Sequence, residues 1–406
     1  MKILLIHQAF ASPKEAGGTR HYEFAQHCLR AGNQFSIVAS DLSYATGARV
    51  EGARGLVTEQ AVNGVRVLRA YTLPCLHRSF AWRIVSFLSF TVTSALAGLR
   101  AGPVDVVMGT SPPIFQAASA WLVSALRRKP FLLEIRDLWP EFAINMGVLK
   151  NPLLILLSRW LERFLYWRAT HILVNSPAYR DYLIHQRIDA AKVSLISNGV
   201  DPDMFQPEAK GERIRKEFGL DGKFVVTYAG ALGLANDIPV ILKAAERLRD
   251  DDSIRFLLVG DGKERPKMEQ MGRELKLQNV IFAGARPKSE MPDFLAASSA
   301  CLATLQNIPM FKTTYPNKVF DYMAAGRPTI LGIDGVIRNV MDACGGGIFV
   351  QPGSGEAIAN AILSLRDNPQ KAEAMGRAAR NHVVRNFNRK QQAQAFVELL
   401  QQLTHD

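Results

Sequence analysis

Short apolar runs rich in Val, Ile and Leu recur through the whole chain, and most are separated from the next by one helical stretch. No other feature narrows the fold as much. In the first half the runs are KILLIH (2–7), QFSIVAS (34–40), GVRVLRA (64–70), VDVVMG (104–109), PFLLEIRD (130–137), THILVNS (170–176) and KVSLISN (192–198). Helical spacing of apolar residues fills 18–31, 80–98, 114–127, 151–168 and 177–185. The second half repeats the scheme with FVVTYAG, IRFLLVGDG, NVIFAG, ACLATL, PTILGI and GIFVQP, separated by helices near 237–249, 263–275, 288–296, 316–325, 335–342 and 355–366. Continuous apolar strands followed by helices are what a parallel sheet buried on both faces requires. Two such sets in succession predict an α/β chain of two doubly wound, Rossmann-like domains.

At 406 residues the chain is too long for one ordinary core, which agrees. The boundary falls in ISNGVDPDMFQPEAKGE (196–212), rich in Gly, Pro and Asp and without apolar period. We therefore expect a first domain over 1–200, a linker at 201–212, a second domain over 213–385, and a final helix at 386–406 that can cross back to the first. The four cysteines are far apart and form no C-x-x-C pair, which argues against a zinc site or disulfide scaffold and for a reducing cytoplasm. MKILLIHQAF has no small-residue cleavage site and reads as a first strand.

The net charge of +12 is uneven: residues 1–200 carry 22 Lys and Arg against 12 Asp and Glu, a surplus of ten. A basic half implies an anionic partner. No basic run with interleaved aromatics resembles a nucleic-acid groove, so nucleic acid is not expected. Residues 80–102 offer 16 residues between Arg83 and Arg100, five of them Ser or Thr, short of the roughly 20 that a membrane span needs. A buried or interfacial helix is expected there. Residues 151–169 place Trp160 and Trp167 among leucines and arginines. Such a helix suits the lipid headgroup level, although a core helix with solvated arginines has the same pattern.

Ligands of doubly wound sheets sit beyond the C-terminal ends of the strands, where helix N-termini offer unpaired N–H groups. Two facing sheets put the expected site in the cleft between them, with three loops to line it. In the first, Gly17 and Gly18 precede a helix and let backbone approach a phosphate or sugar, though a plain turn needs no more. This is not the G-x-G-x-x-G of dinucleotide binders. In the second, IRDLWPEF, Arg136, Asp137 and Glu141 end a buried strand, where a carboxylate can orient or deprotonate an acceptor hydroxyl. An Arg–Asp pair that only fixes the loop is the structural alternative. The third is TTYPNKVFDYMAAGRPTI (313–330). On a helix beginning near Pro316, Lys318 and Asp321 stand at i and i+3 on one face, and Phe320, Met323 and Ala324 form the opposite stripe. Amides near Thr313 and Thr314, the positive helix end and Lys318 can hold a diphosphate, and Asp321 can accept from the vicinal hydroxyls of a ribose. A surface Lys–Asp pair without function is the competing explanation.

PNKVFDYMAAGRPTI resembles the nucleotide-sugar motif of retaining family-4 glycosyltransferases of the GT-B fold. GG after the first strand, SNGVDPDMF, YAGALG, LLVGDGKER and FAGARPKSEMPDFLAASSACL agree in order, so the resemblance covers essentially the whole chain. RDLWPE is similar to the branch that builds bacterial capsule, O-antigen and colanic-acid polysaccharides, including the fucosamine transferases called WbuB. The family motif is Glu, seven residues, Glu; here those positions hold Thr313 and Asp321. The resemblance also leads one to expect Arg and Lys after YAG, where this chain has AGALGLAND. The diphosphate charge then falls to Lys318, to amides around Gly230, Leu232 and Gly233, and to the helix end. Ala285 and Arg286 are the expected neighbours of the nucleobase.

The resemblance implies transfer of a sugar, an N-acetylated amino or deoxy sugar such as FucNAc among the options, from a UDP-sugar with retained anomeric configuration. It implies a polyprenyl-diphosphate-linked acceptor, no metal, and peripheral docking of the basic half on the anionic inner face of the cell membrane. Asp137 is expected to position the acceptor. DPD (201–203) reads as the interdomain turn and not as a metal box. Three rivals stay open: a UDP-sugar 2-epimerase of the same fold, a non-catalytic nucleotide-sugar binder, and, less well supported, a nicotinamide oxidoreductase.

Overall fold

The computed structural model describes residues 1–405 except Lys14, Ala16, Tyr44, Ala45 and His77, and leaves aside the side chains of Phe80 and His405. The chain forms two compact units. The first comprises Met1–Ser12, Gly17–Ser197 and Lys390–Asp406, and the second Pro13–Ala16 and Asn198–Arg389.

The first unit opens with β1 (Lys2–Ile6), α1 (Arg20–Arg30), β2 (Gln34–Ser40), β3 (Val57–Val62), β4 (Val65–Ala70) and α2 (Phe80–Leu99). It continues with β5 (Val106–Ser111), α3 (Ile114–Arg127), β6 (Phe131–Ile135), α4 (Glu141–Asn145), α5 (Pro152–Arg168), β7 (His171–Val174), α6 (Pro177–His185) and β8 (Val193–Leu195). Its eight strands lie in the order β3-β4-β2-β1-β5-β6-β7-β8, all parallel but β3. The register pairs Leu4 with Ser36 on one side and with Val107 on the other. The strands are apolar on both sides because helices cover both faces.

The second unit contains α7 (Glu212–Glu217), β9 (Phe224–Ala229), α8 (Ile238–Arg247), β10 (Ile254–Val259), α9 (Arg265–Glu274) and β11 (Val280–Gly284). Then come α10 (Met291–Ala296), β12 (Ala300–Thr304), α11 (Asn317–Ala324), β13 (Thr329–Gly332), α12 (Val336–Cys344), β14 (Gly347–Phe349), α13 (Gly355–Arg366) and α14 (Pro369–Asn386). Six parallel strands run in the order β11-β10-β9-β12-β13-β14. The last helix, α15 (Arg389–His405), belongs to the first unit from Lys390 onward. There Phe396, Val397 and Leu400 join the core around Phe24, whose ring stacks on that of Phe396 at 4.7 Å.

β3 was not among the expected strands, and it is the antiparallel one. Its sequence, VTEQAV, alternates instead of running apolar because this edge strand is only partly covered. The local signal was nevertheless present. Asn63 and Gly64 both take positive φ, 47° and 83°, and close a two-residue hairpin between β3 and β4, the turn that Asn-Gly favours. A second difference concerns residues 80–102. They form a 20-residue helix, and Ala81–Leu99 is by length and composition long and apolar enough to cross a membrane, with 39% of that window buried. The apolar segment is longer than the stretch between Arg83 and Arg100, because one arginine near a helix end does not interrupt it.

Candidate active-site residues

In each sheet the strand order reverses beside the first strand of its unit, between β1 and β5 and between β9 and β12. Loops leaving a parallel sheet at such a point diverge and leave room for a ligand. In the second unit the loop after β9 and the start of α11 meet there. Tyr322 of α11 accepts from the Ala229 amide (2.8 Å) and donates to the Ala229 carbonyl (3.2 Å), which fixes the helix to the end of β9. That anchor brings Lys318 to β9. Its Nζ donates to the Tyr228 hydroxyl (2.8 Å) and to Asn236 Oδ1 (2.7 Å), and lies 4.3 Å from the Tyr228 ring centre. Asn236 is itself held, because Thr304 at the end of β12 donates to its carbonyl at 2.6 Å.

Both partners of Lys318 are neutral. Removal from water pushes its pKa down to about 7. An ammonium that has lost hydration and gained no carboxylate is stabilised by any anion that reaches it. The backbone around it is tightly packed. A Cβ on Gly230 would stand 3.1 Å from Lys318 Nζ, and one on Gly260 would stand 1.9 Å from the Gly230 carbonyl oxygen. Glycine at these positions lets the loop lie against the lysine.

Other expected donor residues fall in different places. Asp321 pairs with Lys288 at 2.5 Å, a residue that the motif reading did not single out. Lys318 and Asp321 therefore reach toward two different elements. The Thr313 and Thr314 hydroxyls donate to the carbonyls of Met310 and Phe311, closing the turn before α11. Two expectations need correction. The Leu232 side chain is wholly buried in the core and its amide donates to the Asp261 carbonyl, so this residue has neither to offer a donor; the Gly230 amide is likewise bound to Val259. Arg286 is held by Glu217 and Glu290 and packs on the rings of Phe218 and Phe294, which makes it a structural arginine. Ala285 is exposed after β11, and Gly233 is partly exposed in the loop before Asn236.

The first unit places a buried polar cluster at its own reversal point. His7, just after β1, bonds Thr110 of β5 through Nδ1 (2.9 Å), and Arg136 donates to its Nε2 (3.2 Å). Since Arg136 can only donate, Nε2 accepts and the proton sits on Nδ1. Burial, with His21 and Arg136 adding to it, holds the His7 pKa well below the usual histidine range, in keeping with a neutral ring. Glu134, on buried strand β6, accepts from Arg20 (2.9 Å) and meets His21 Nε2 at 2.5 Å. Burial alone would raise its pKa, but His21 and Arg20 outweigh it and hold the carboxyl well below the carboxylate range. Arg20 also donates to the carbonyls of Ser197 and Ile196.

No sequence motif marks His7, Arg20, His21 and Glu134 as a cluster. The available signal was the glutamate inside PFLLE: a carboxylate on an otherwise apolar buried strand demands a cation. Arg136 bonds His7 as described, and Asp137 accepts from Tyr179 at 3.4 Å. Burial raises the Asp137 pKa to about 6 despite the opposing influence of Arg136. Glu141 is a correction: Arg159 of α5 grips it at 2.8 and 3.2 Å, so it ties α4 to α5. Gly17 and Gly18 are exposed, immediately before Thr19 and α1.

Two Rossmann-like units of this topology define the GT-B architecture, and solved structures align over nearly the whole chain. Sucrose-phosphate synthase from Thermosynechococcus elongatus superposes with a TM-score of 0.79 at 19% identity, covering 99% of this chain and 98% of that one. HepE from Anabaena in complex with UDP-glucose gives 0.74 at 17%, covering 99% and 100%. Residues 16–199 match the family model described as Glycosyl transferase 4-like domain, and residues 210–382 match Glycosyl transferases group 1. The chain belongs to this glycosyltransferase family. Among curated relatives, it is 24% identical over 322 residues to the putative colanic acid biosynthesis glycosyl transferase WcaI of Escherichia coli K12, spanning 75% of this chain and 78% of that one. It is 25% identical over 246 residues to an Escherichia coli UDP-Gal:alpha-D-GlcNAc-diphosphoundecaprenol alpha-1,3-galactosyltransferase, spanning 57% and 60%.

Proposed function

We propose that this protein transfers a sugar from a UDP-sugar to a polyprenyl-diphosphate-linked glycan during assembly of a bacterial surface polysaccharide, retaining the anomeric configuration and using no metal. The observation that carries the reading is Lys318: a desolvated ammonium held by Tyr228 and Asn236, with no charged partner among the described residues, beside the N-terminus of α11. In the proposed reaction the bond between sugar C1 and the β-phosphate oxygen breaks and a bond from C1 to the acceptor oxygen forms. The acceptor's proton leaves with the nucleoside diphosphate. Lys318 and the first-turn amides of α11 take up the charge that develops on the leaving diphosphate. Asp321, steadied by Lys288, receives the ribose hydroxyls. In the first unit, Asp137 positions the acceptor hydroxyl, with Tyr179 donating to its carboxylate.

The uridine nucleotide and the lipid-linked acceptor are supported by the names of relatives. One takes UDP-Gal and a diphosphoundecaprenol-linked GlcNAc, and a structural neighbour is bound to UDP-glucose. The RDLWPE loop and the WcaI relative support a place in the surface-polysaccharide branch, with an N-acetylated amino or deoxy sugar such as FucNAc as the candidate cargo. The test is a panel of UDP- and GDP-sugars, screened by thermal shift and then incubated with a polyprenyl-diphosphate glycan. A glycosylated lipid and free UDP are expected from one UDP-sugar. Isomerised donor without transfer, or stabilisation by GDP-sugars alone, would overturn the reading.

A further inference from the structure

The first unit carries an uncompensated cation at the same strand end as His7. Arg136, just past β6, is half-buried. Among the described residues its guanidinium forms no ion pair and makes one hydrogen bond, to His7 Nε2 at 3.2 Å. That ring is neutral and brings no charge to balance it. The carboxylates close by in sequence are engaged elsewhere: Glu134 by Arg20 and His21, Asp137 by Tyr179, and Glu141 by Arg159. Next to His7, the Gln8 side chain is 3% exposed, and among the described residues its Oε1 meets no donor. Buried polar groups of a native fold are nearly always paired, and a guanidinium offers five N–H donors in a planar fork. A fork without a carboxylate, near an amide without a partner, suits a ligand that carries an oxyanion.

The strand order sets how far such an oxyanion lies from the hydroxyl that Asp137 aligns. Neighbouring strands here run β1-β5-β6-β7. From the end of β6, Arg136 reaches toward β1, which His7 follows, whereas Asp137 bonds Tyr179 on α6, the helix after β7. The two side chains diverge to opposite sides of β6. With strands about 4.8 Å apart, guanidinium and carboxylate are separated by roughly 5–10 Å. One sugar ring bridges a hydroxyl and an anomeric phosphate over such a gap, and a second ring overshoots it.

We propose, building on the transferase reading above, that Arg136 binds the sugar-linked phosphate of the acceptor, so that the acceptor is a single sugar on a polyprenyl diphosphate and this protein adds the second. Such an acceptor must be supplied by a sugar-phosphate transfer. In that reaction a polyprenyl phosphate oxygen attacks the β-phosphorus of a nucleoside diphosphate sugar, the bond from that phosphorus to the bridging oxygen breaks, and a nucleoside monophosphate leaves.

The experiment first measures binding to the full chain by isothermal titration calorimetry, with no donor present. The probes are GlcNAc, GalNAc and glucose, each as a decyl diphosphate and as a neutral decyl glycoside. One diphosphate is expected to bind the parent about 10- to 100-fold more tightly than its neutral glycoside, the worth of a charge-assisted hydrogen bond. Arg136→Gln should lose that preference yet bind the neutral glycoside as the parent does, and Arg136→Lys should keep part of it. Absence of the preference in the parent, or its survival in Arg136→Gln, would overturn the proposal. So would an equal loss for both kinds of probe, the mark of an arginine that only fastens its loop. Transfer from the UDP-sugar panel to the same diphosphates and to a trisaccharide diphosphate then reads acceptor length. The single-sugar acceptor should show kcat/KM at least about tenfold higher, because a longer glycan misplaces the reacting hydroxyl. Equal use of both lengths would overturn the single-sugar assignment. Arg136-dependent binding without transfer to any acceptor would support the phosphate site and count against the transferase reading instead.

Discussion

Replacing Lys318 by methionine separates what this residue costs the fold from what it does for a ligand. Burial moves its pKa from 10.5 to about 7. A displacement of that size corresponds to an upper bound of about 5 kcal/mol held against the ammonium at neutral pH. The variant forfeits two hydrogen bonds, worth about 2–4 kcal/mol together. Lys318→Met should therefore raise unfolding free energy at pH 7 by about 1–3 kcal/mol, as removal of a strained functional group does. The sign with pH follows from the folded pKa lying below the unfolded one. The unfolded chain holds the extra proton between about 7 and 10.5, so the parent gains stability as pH rises through that window and the variant does not.

Donor binding runs the other way. A diphosphate favours the charged amine, so binding a UDP-sugar above pH 7 must draw in a proton. With the free pKa at about 7, the parent's affinity should weaken roughly 30-fold from pH 6 to pH 8.5, and about 0.9 proton should be taken up at pH 8. Lys318→Met should bind about 10- to 150-fold more weakly at pH 6, the worth of a charge-assisted hydrogen bond, with no proton uptake. Isothermal titration calorimetry in buffers of differing ionisation enthalpy reads both quantities. Equal affinity of parent and variant, or binding without proton uptake in the parent, would refute the argument.

Three further outcomes follow from the geometry. Asp137→Asn should leave UDP-sugar affinity intact yet lower transfer about 10- to 100-fold. In the parent, transfer should decline as pH falls through about 6, and this limb should be missing from the variant's pH–rate profile. Arg20→Ala leaves Glu134 ionised and half-paired in the interior and should cost about 3–5 kcal/mol, visible as a large fall in Tm. Burial raises the Glu162 pKa from 4.5 to about 7, so its contribution is fully present at low pH and is lost as pH rises through 7. Urea titrations should show up to about 3 kcal/mol less stability at pH 8 than at pH 4 from this group, a difference that Glu162→Gln removes.

The parallel strands were legible because burial on both faces leaves an unbroken apolar run, and Leu4, Val107 and Leu258 are core by that rule. β3 was not, since an edge strand alternates and only its Asn-Gly turn marks it. Lys318 could be singled out from its place at the head of a helix. Its partners could not, because Tyr228 and Asn236 come from another loop and only the Tyr322–Ala229 bonds bring that loop into reach. Arg286 and Glu141 misled for a related reason. A charged residue at a strand end looks the same in sequence whether it faces a ligand or, as here, Glu217 or Arg159.

The most direct test of the central claim is a crystal structure of the protein with UDP bound. The account predicts the Lys318 ammonium within about 3 Å of a β-phosphate oxygen at the start of α11. A diphosphate bound elsewhere, with Lys318 still held only by Tyr228 and Asn236, would contradict it.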